Sequence, residues 1–368
     1  MGNKSGQMEN LVGKLISETL RNKKVFVTGH TGFKGSWLLA ILKRFGANVK
    51  GYALAPENDF DLYTILNAGE ELCESVIHDI RDKGRLQKEI LDFVPDFIFH
   101  LAAQPLVRTS YEDPIETFEV NVMGTAYVLE CARSLSNKCT VVIVTTDKVY
   151  HNNETVRPYK ESDPLGGYDP YSASKAAAEI VTSSYSKSFF NPTHYEKHYK
   201  AVATARAGNV IGGGDWAKDR VVPDLIRALE SGNELTIRNP DAVRPWQHVL
   251  EPLFGYLVLA CRLHHDAAAF SGGWNFGPAE NDAFTVRELA ERAIKNWGSG
   301  EYSIHKTENQ PHEAGLLTLD ISKAVLQLGW KPKLDAAQSI EWALDWYKQP
   351  GENRKQYTFF QIDQYISL

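Results

Sequence analysis

The stretch Val25-Phe26-Val27-Thr28-Gly29-His30-Thr31-Gly32-Phe33-Lys34-Gly35-Ser36-Trp37-Leu38 decides the fold. Its first three residues form the short apolar run of a buried strand. Gly29, Gly32 and Gly35 follow at GxxGxxG spacing, and Ser36 to Phe45 reads as a helix closed by Gly46. Glycines in a strand–turn–helix unit let the chain turn tightly and bring backbone amides against a pyrophosphate, at the positive end of the helix. The string predicts a dinucleotide site; the alternative is a purely structural glycine turn. A ribose-binding acid is expected near the end of the second strand. Tyr52-Ala53-Leu54 supplies none, and Glu57, Asp59 and Asp61 lie further on, so this motif leaves NAD or NADP open. His30 and Lys34 put two bulky basic side chains in the loop, which could aid a phosphate or crowd it.

Outward from this unit the pattern repeats. Val49–Leu54, Ser75–Asp79, Phe97–Leu101 and Thr140–Thr146 read as strands, with helices over residues 82–93 and Glu116–Ser134 between them. Alternation of this length implies βαβ units and a parallel sheet, and the run Val141-Val142-Ile143-Val144 suits a strand buried on both faces. Ligands in such sheets bind beyond the carboxyl ends of the strands. After about Arg206 the rhythm loosens. Short strands (Leu235–Arg238, Trp274–Phe276) mix with helices (Val221–Ser231, Pro252–Leu263, Val286–Trp297), and Thr285 with Glu288 makes a capping box. The predicted fold is α/β: a Rossmann-like doubly wound parallel sheet with a smaller α/β substrate-binding lobe. Residues 1–21 are a tail with a short helix near Leu11–Leu20. Residues 22–206 are the dinucleotide domain. Residues 207–368 are mainly the second lobe, with segments returning to the first.

Composition narrows the function. The 368 residues suffice for two lobes. Apolar residues are 43%, which excludes a disordered chain. A net charge of −6 provides no basic field for nucleic acid or an acidic membrane. An anionic substrate then needs a local cluster of Arg and Lys. Cys73, Cys131, Cys139 and Cys261 form no CxxC pair, so no metal site is expected and free thiols in a reducing cytoplasm are. No apolar run reaches the ~20 residues of a membrane span, and the polar start argues against a signal peptide. Met1-Gly2 opens like a myristoylation site, but Gly6 stands where Ser or Thr is required.

Two further motifs carry chemistry. Tyr171 and Lys175, in Tyr171-Ser172-Ala173-Ser174-Lys175, share one helix face. An ammonium beside a phenol favours the phenolate and lowers its pKa from ~10, so Tyr171 could take a proton from a sugar hydroxyl. The plain alternative is a helix carrying YxxxK by chance. Thr145-Thr146-Asp147-Lys148-Val149-Tyr150 stands at the carboxyl end of the fifth strand and offers a hydroxyl, an acid and a base together. Taken alone, it reads as a loop with solvated charges.

Together these motifs resemble the extended short-chain dehydrogenase/reductase superfamily. The strings GHTGFKGSWL (Gly29–Leu38), AAQPLVR (Ala102–Arg108), NVMGT (Asn121–Thr125) and GGYDPYSASK (Gly166–Lys175) narrow the resemblance. So do RAGNVIGGGDWAKDR (Arg206–Arg220), RPWQHVLEPL (Arg244–Leu253), WNFGP (Trp274–Pro278) and LGWKP (Leu328–Pro332). From about Lys23 to Tyr347 the chain is similar to the CDP-glucose 4,6-dehydratase family.

The resemblance implies a redox-neutral dehydration of CDP-glucose to CDP-4-keto-6-deoxyglucose with NAD as an internal hydride carrier, for deoxysugar and surface lipopolysaccharide synthesis. It implies that Tyr171, with Lys175, takes the O4 proton, that Thr146 bonds the C4 oxygen, and that Asp147 is the acid at O6. Lys148 stands where dTDP- and UDP-sugar relatives carry Glu, and is the expected C5 base if its pKa falls toward ~7–8. Along the cofactor it places Gly29, Thr31, Gly32, Phe33, Lys34, Gly35, Leu101, Ala102, Ala103, Gln104 and Thr145. Asp79 and Ile80 fall at the adenine, and Asn121 behind Tyr171. Around the substrate it places Gln104, Arg108, Asn209, Arg220, Arg238, Arg244, His248 and His312. It also implies a homodimer built on Glu116–Ser134 and the helix after Tyr171. A nucleotide-sugar epimerase shares the Tyr–Lys pair and glycine loop but needs no acid and base at C6 and C5. A non-catalytic dinucleotide sensor would need none of Tyr171, Lys175 and Asp147.

Overall fold

Apolar runs without polar alternation become the inner strands of one sheet. In the computed structural model, β1 (Lys24–Thr28), β2 (Asn48–Ala53), β3 (Glu74–Ile77), β4 (Phe97–His100), β5 (Cys139–Val144), β6 (Lys200–Ala207) and β7 (Gly272–Phe276) lie in the order β7-β6-β5-β4-β1-β2-β3. Every neighbouring pair is parallel. β4, β5 and β6 are buried at each position, as strands covered on both faces must be. The order reverses between β1 and β4, which opens the ligand-binding crevice there. The structure describes residues 5–368 except 154, 156, 219, 238, 280, 281, 283 and 305–316, with backbone only for 5–10.

Alternate strand residues serve opposite faces. Val25, Val27, Phe97, Phe99, Val142 and Val144 meet one apolar cluster, with α2 (Phe33–Arg44) beneath them. Phe26, Ile98, Val141, Ile143 and Val202 meet another, built with α3 (Lys83–Phe93) and α4 (Gly124–Ser134). The helix of the Tyr171–Lys175 motif is α5 (Pro170–Ser188), whose N-cap Asp169 accepts the Ser172 amide. Later helices are α6 (Val221–Ser231), α7 (Leu250–His265), α8 (Val286–Trp297), α9 (Ala336–Tyr347) and α10 (Arg354–Ser367). α6 and α8 have the bounds that the sequence predicts, and the Thr285–Glu288 capping box forms in both directions.

Three differences matter. The predicted helix over Glu116–Ser134 is interrupted. A short helix, Pro114–Phe118, passes into a wide π-type turn over Glu119–Met123 before α4 begins. Asn121 is buried in that turn, where its amide links the Gln104 loop to α5. α9 and α10 are absent from the sequence reading, yet Trp346 and Tyr347 of α9 are buried in the core. The predicted strand Leu235–Arg238 forms over Leu235–Ile237 and pairs with Tyr302–Ile304 outside the main sheet; Arg238 lies outside the described residues.

Candidate active site

The glycine turn is built by close approach. Gly29 has φ +75°, and a Cβ there would come within 2.6 Å of the Ala102 amide nitrogen. A Cβ at Gly35 would overlap the Gly29 carbonyl. Gly32 caps α2 without a side-chain hydrogen bond, which leaves first-turn amides open toward solvent, as a pyrophosphate requires. These residues therefore fit a dinucleotide. Thr31 Oγ1 is tied to the Leu54 carbonyl at 2.9 Å, and the Phe33 ring lies against Gly212.

His30 does not enter the loop. Its ring is fully buried against Gly51, and Nε2 stands 2.7 Å from Ser75 Oγ. Burial pushes its pKa down to about 4, so it is a neutral packing residue and adds no charge to a phosphate. Lys34 behaves differently. Burial, then Arg220 and Lys175, lower it to about 8, while Asp147 and Asp215 oppose them. It belongs to the electrostatic field of the cleft.

The cleft floor follows β4. The Ala102 amide donates to Thr28 Oγ1 at 3.2 Å, and the Leu101 amide to the Thr28 carbonyl at 3.1 Å. Leu101, Ala102 and Ala103 are half-buried along this edge. Asn121 Oδ1 accepts the Gln104 amide at 2.9 Å, and Asn121 Nδ2 donates to Ser174 Oγ at 2.8 Å. One side chain thus joins the cofactor-side loop to α5. The half-buried Gln104 side chain bonds Leu106 N and O in its own loop and Thr117 Oγ1 on the helix Pro114–Phe118. Asp79 is clasped by Arg81 through Nη2 at 2.6 Å, which holds its carboxyl below the usual range. The Ile80 side chain packs in the core against Gly124, so only its backbone is free to meet an adenine.

Beyond β5 the chain makes one short helical turn, Asp147–Val149. Thr145, Thr146 and Asp147 are all buried, and Thr146 Oγ1 donates to Asp147 Oδ1 at 2.9 Å. Burial raises the Asp147 pKa although Lys148, Thr146, Arg244 and Lys34 all pull it down. Gly208 makes room for this carboxylate: a Cβ there would sit 2.9 Å from Asp147 Oδ2. Thr146 also hydrogen-bonds Tyr171, so the phenol, the hydroxyl and the carboxyl share one cleft. Lys148 is half-buried beside them.

Tyr171 departs from the sequence reading. Burial pushes its phenol up to about 12, although Thr146 and Arg220 lower it. Lys175 Nζ donates to the Val144 carbonyl at 3.2 Å. Burial lowers Lys175 to about 8, against Glu179 one turn further along α5. Desolvation of the phenolate is the largest influence on Tyr171.

On the substrate side, Arg220 Nη1 is held by buried Asp215 at 2.9 Å. Asp215 is the largest influence raising Arg220, and Arg220 in turn acts on Tyr171 and Lys34. The Gly212–Trp216 loop behind it is pinned by Tyr347 Oη to the Asp215 carbonyl at 2.7 Å and by Trp37 Nε1 to the Gly213 carbonyl at 2.9 Å. Arg244 is half-buried and contributes to the field at Asp147. Asn209 is half-buried next to Gly208, and Arg108 is half-buried on the helix Val107–Glu112. His248 is a correction. It is fully buried, with Trp37 and Trp342 edge-on at 5.9 and 5.7 Å, and cannot reach a substrate. His312, like Arg238, lies outside the described residues. The sequence reading assigned no role to Asp215 or Gly208, although both lie inside the string Arg206–Arg220. Their roles depend on neighbours that only folding supplies.

A glycine turn at the switch point of a parallel sheet, with Tyr, Lys, Thr and Asp gathered at the next strand ends, defines a dinucleotide-dependent enzyme of the extended short-chain dehydrogenase class. Residues 26–342 match the family model described as GDP-mannose 4,6 dehydratase, and the chain belongs to that family. It is 52% identical over 328 residues to the CDP-glucose 4,6-dehydratase of Salmonella typhimurium, covering 89% of this chain and 91% of that protein. It is 25% identical over 359 residues to the CDP-paratose 2-epimerase of Salmonella typhi, covering 88% and 98%. Among solved structures, the epimerase Mth375 of Methanothermobacter thermautotrophicus superposes with a TM-score of 0.77 at 22% identity, covering 94% of this chain and 97% of that one. A dTDP-glucose 4,6-dehydratase from Streptomyces venezuelae with NAD bound gives 0.75 at 24%, covering 88% and 97%. These superpositions establish the shared fold.

Proposed function

We propose that the protein is an NAD-dependent hydro-lyase that converts CDP-D-glucose to CDP-4-keto-6-deoxy-D-glucose. The observation that carries the chemistry is the buried Asp147 carboxyl, hydrogen-bonded to Thr146, which in turn bonds Tyr171. An acid beside the C4 oxidation centre suits water loss from C6, and an epimerase has no use for it. The CDP-glucose reading is supported by the Salmonella typhimurium relative.

When bound, NAD⁺ supplies the hydride acceptor at C4 and returns the hydride at C6. Glycines 29, 32 and 35, the Ala102 edge and Asn121 are the residues that would hold it. Tyr171 takes the O4 proton, and Thr146 bonds the same oxygen. Positive charge near the phenol, including Arg220, favours its base form. The C4 ketone acidifies the C5 hydrogen, and Lys148 removes that proton and returns one to C5 when C6 is reduced. Asp147 delivers a proton to the departing O6 hydroxyl, and its burial shifts the carboxyl in the direction an acid needs. Arg220 and Arg244 bind the diphosphate, which a planar guanidinium suits.

The same reading includes a homodimer. Phe118, Met123 and Ile180 are exposed apolar side chains on the segments that the family resemblance assigns to a helical interface, and exposed Ile115 directly precedes the first of these segments. It also places the reaction in the cytoplasm, consistent with four free thiols, and its product in surface-polysaccharide synthesis. No helix among the described residues is long and apolar enough to cross a membrane.

The test is a screen of CDP-, UDP-, dTDP- and GDP-glucose for a keto sugar absorbing in alkali. CDP-glucose should give the strongest signal. An epimer without keto product, or equal turnover of all four, overturns the reading.

A further inference from the structure

The turn that carries Thr146, Asp147 and Lys148 is bracketed by Thr145 and Tyr150. Both brackets are fastened to one buried ion pair outside the reacting groups. Glu179 of α5 accepts the Thr145 hydroxyl on Oε1 at 2.6 Å and the Thr204 hydroxyl on Oε2 at 2.7 Å. Arg206, at the end of β6, grips the same carboxylate with Nε at 2.9 Å and Nη2 at 2.8 Å. Its remaining nitrogen, Nη1, donates to the Tyr150 hydroxyl at 2.8 Å, and that hydroxyl donates to Asn275 Oδ1 at 2.6 Å. The side chains are only 5% and 3% exposed, so water does not loosen the arrangement.

A buried ion pair is a weak source of stability, because desolvation cancels most of the attraction. It is a strong source of direction. The bidentate fork fixes both partners in a plane, and its outer bonds reach both ends of the turn. We propose that Glu179 and Arg206 are a positioning pair that holds the Thr146–Lys148 turn in reacting geometry against Tyr171. This rests on the reading of that turn as catalytic.

The pair has an electrical side as well. Glu179 stands one helical turn from Lys175 and stabilises its ammonium form. The other groups facing Lys175 are Tyr171 on the same helix, the Val144 carbonyl of β5, neutral His100 of β4 and cationic Lys34 of α2. Among these, Glu179 is the group that raises Lys175. Removing its charge should lower the Lys175 titration point.

The experiment compares Glu179→Gln, Glu179→Asp and the double variant Glu179→Gln/Arg206→Met, which removes both charges and leaves none unpaired. Three quantities are read. They are kcat and KM with CDP-glucose, folded content by circular dichroism, and the pH dependence of Lys175 acetylation by mass spectrometry without turnover. The folded double variant should lose about tenfold or more in kcat with KM nearly unchanged. Glu179→Gln should shift Lys175 reactivity about one pH unit lower, and Glu179→Asp should recover part of both effects. A folded double variant with wild-type kcat, or a Lys175 profile unmoved in Glu179→Gln, overturns the proposal. If the wild-type protein makes no keto sugar, the functional reading fails, while the acetylation profile still tests the pair.

Discussion

At Asp147 burial and charge pull in opposite directions, and burial is the larger. Four neighbours favour the carboxylate, yet burial raises the pKa. Asp147→Asn keeps the shape and loses the acid. Water loss should fall about 10²-fold or more, while the C4 hydrogen is still removed; rapid-quench analysis of the bound sugar should show intermediate accumulating before elimination. Lys148→Ala should abolish solvent-proton exchange at C5, and normal exchange would remove Lys148 from the role of base. Asp215 acts through Arg220. Asp215→Asn loses a charge-assisted bond 2.9 Å long, and KM for CDP-glucose should rise about tenfold with a smaller change in kcat. The reactive residue types were legible in the sequence because they lie in contiguous strings. Their states were not. The Tyr171 phenol rises where the Lys175 spacing predicts a fall, since burial cannot be read from an i, i+4 interval.

Elements are held in place by a few buried polar contacts, and Glu251 is the clearest. It starts α7 and accepts the Lys333 and Leu334 amides at 3.0 and 2.8 Å and the Tyr365 hydroxyl of α10 at 2.7 Å. Burial raises its carboxyl from 4.5 to about 7. The folded state therefore favours the protonated form. That stability is fully present below the unfolded value near 4.5 and is lost as pH rises through about 7. Glu251→Gln keeps the acceptor for the two amides and cannot ionise. Its melting temperature should gain on wild type between pH 5 and pH 8, by up to about 3 kcal/mol of relative stability. Thermal melts across that range check it, and parallel curves would refute it. Helices such as Val221–Ser231 were legible because their apolar period and caps are local. The break at Glu119–Met123 was not, because it serves the bonds of Asn121 to Gln104 and Ser174, which lie 17 and 53 residues away.

The whole molecule is built on one seven-stranded sheet with two apolar faces and a crevice where the strand order reverses. Cofactor binding to the folded state alone should stabilise it. NAD⁺ at about a hundredfold excess over its Kd should add about 2.7 kcal/mol, read as a rise in melting temperature, and NADP⁺ at equal concentration should do less. A flat response to NAD⁺ would contradict the pyrophosphate fit of the glycine turn. The exposed apolar residues of the proposed dimer face give a second test. Ile115→Asp with Ile180→Asp should convert a dimer to a monomer by sedimentation, and an unchanged sedimentation coefficient would place the interface elsewhere. The sequence by itself determined the parallel α/β sheet, the glycine turn and the motif strings, because strand runs, helix periods and backbone-limited glycines are properties of near neighbours along the chain. Only the tertiary structure decided that His30 and His248 are packing residues, that Asp215 holds Arg220, and that burial raises the Asp147 carboxyl. Those outcomes depend on which distant groups remove water from a side chain, and desolvation is a property of the assembled fold.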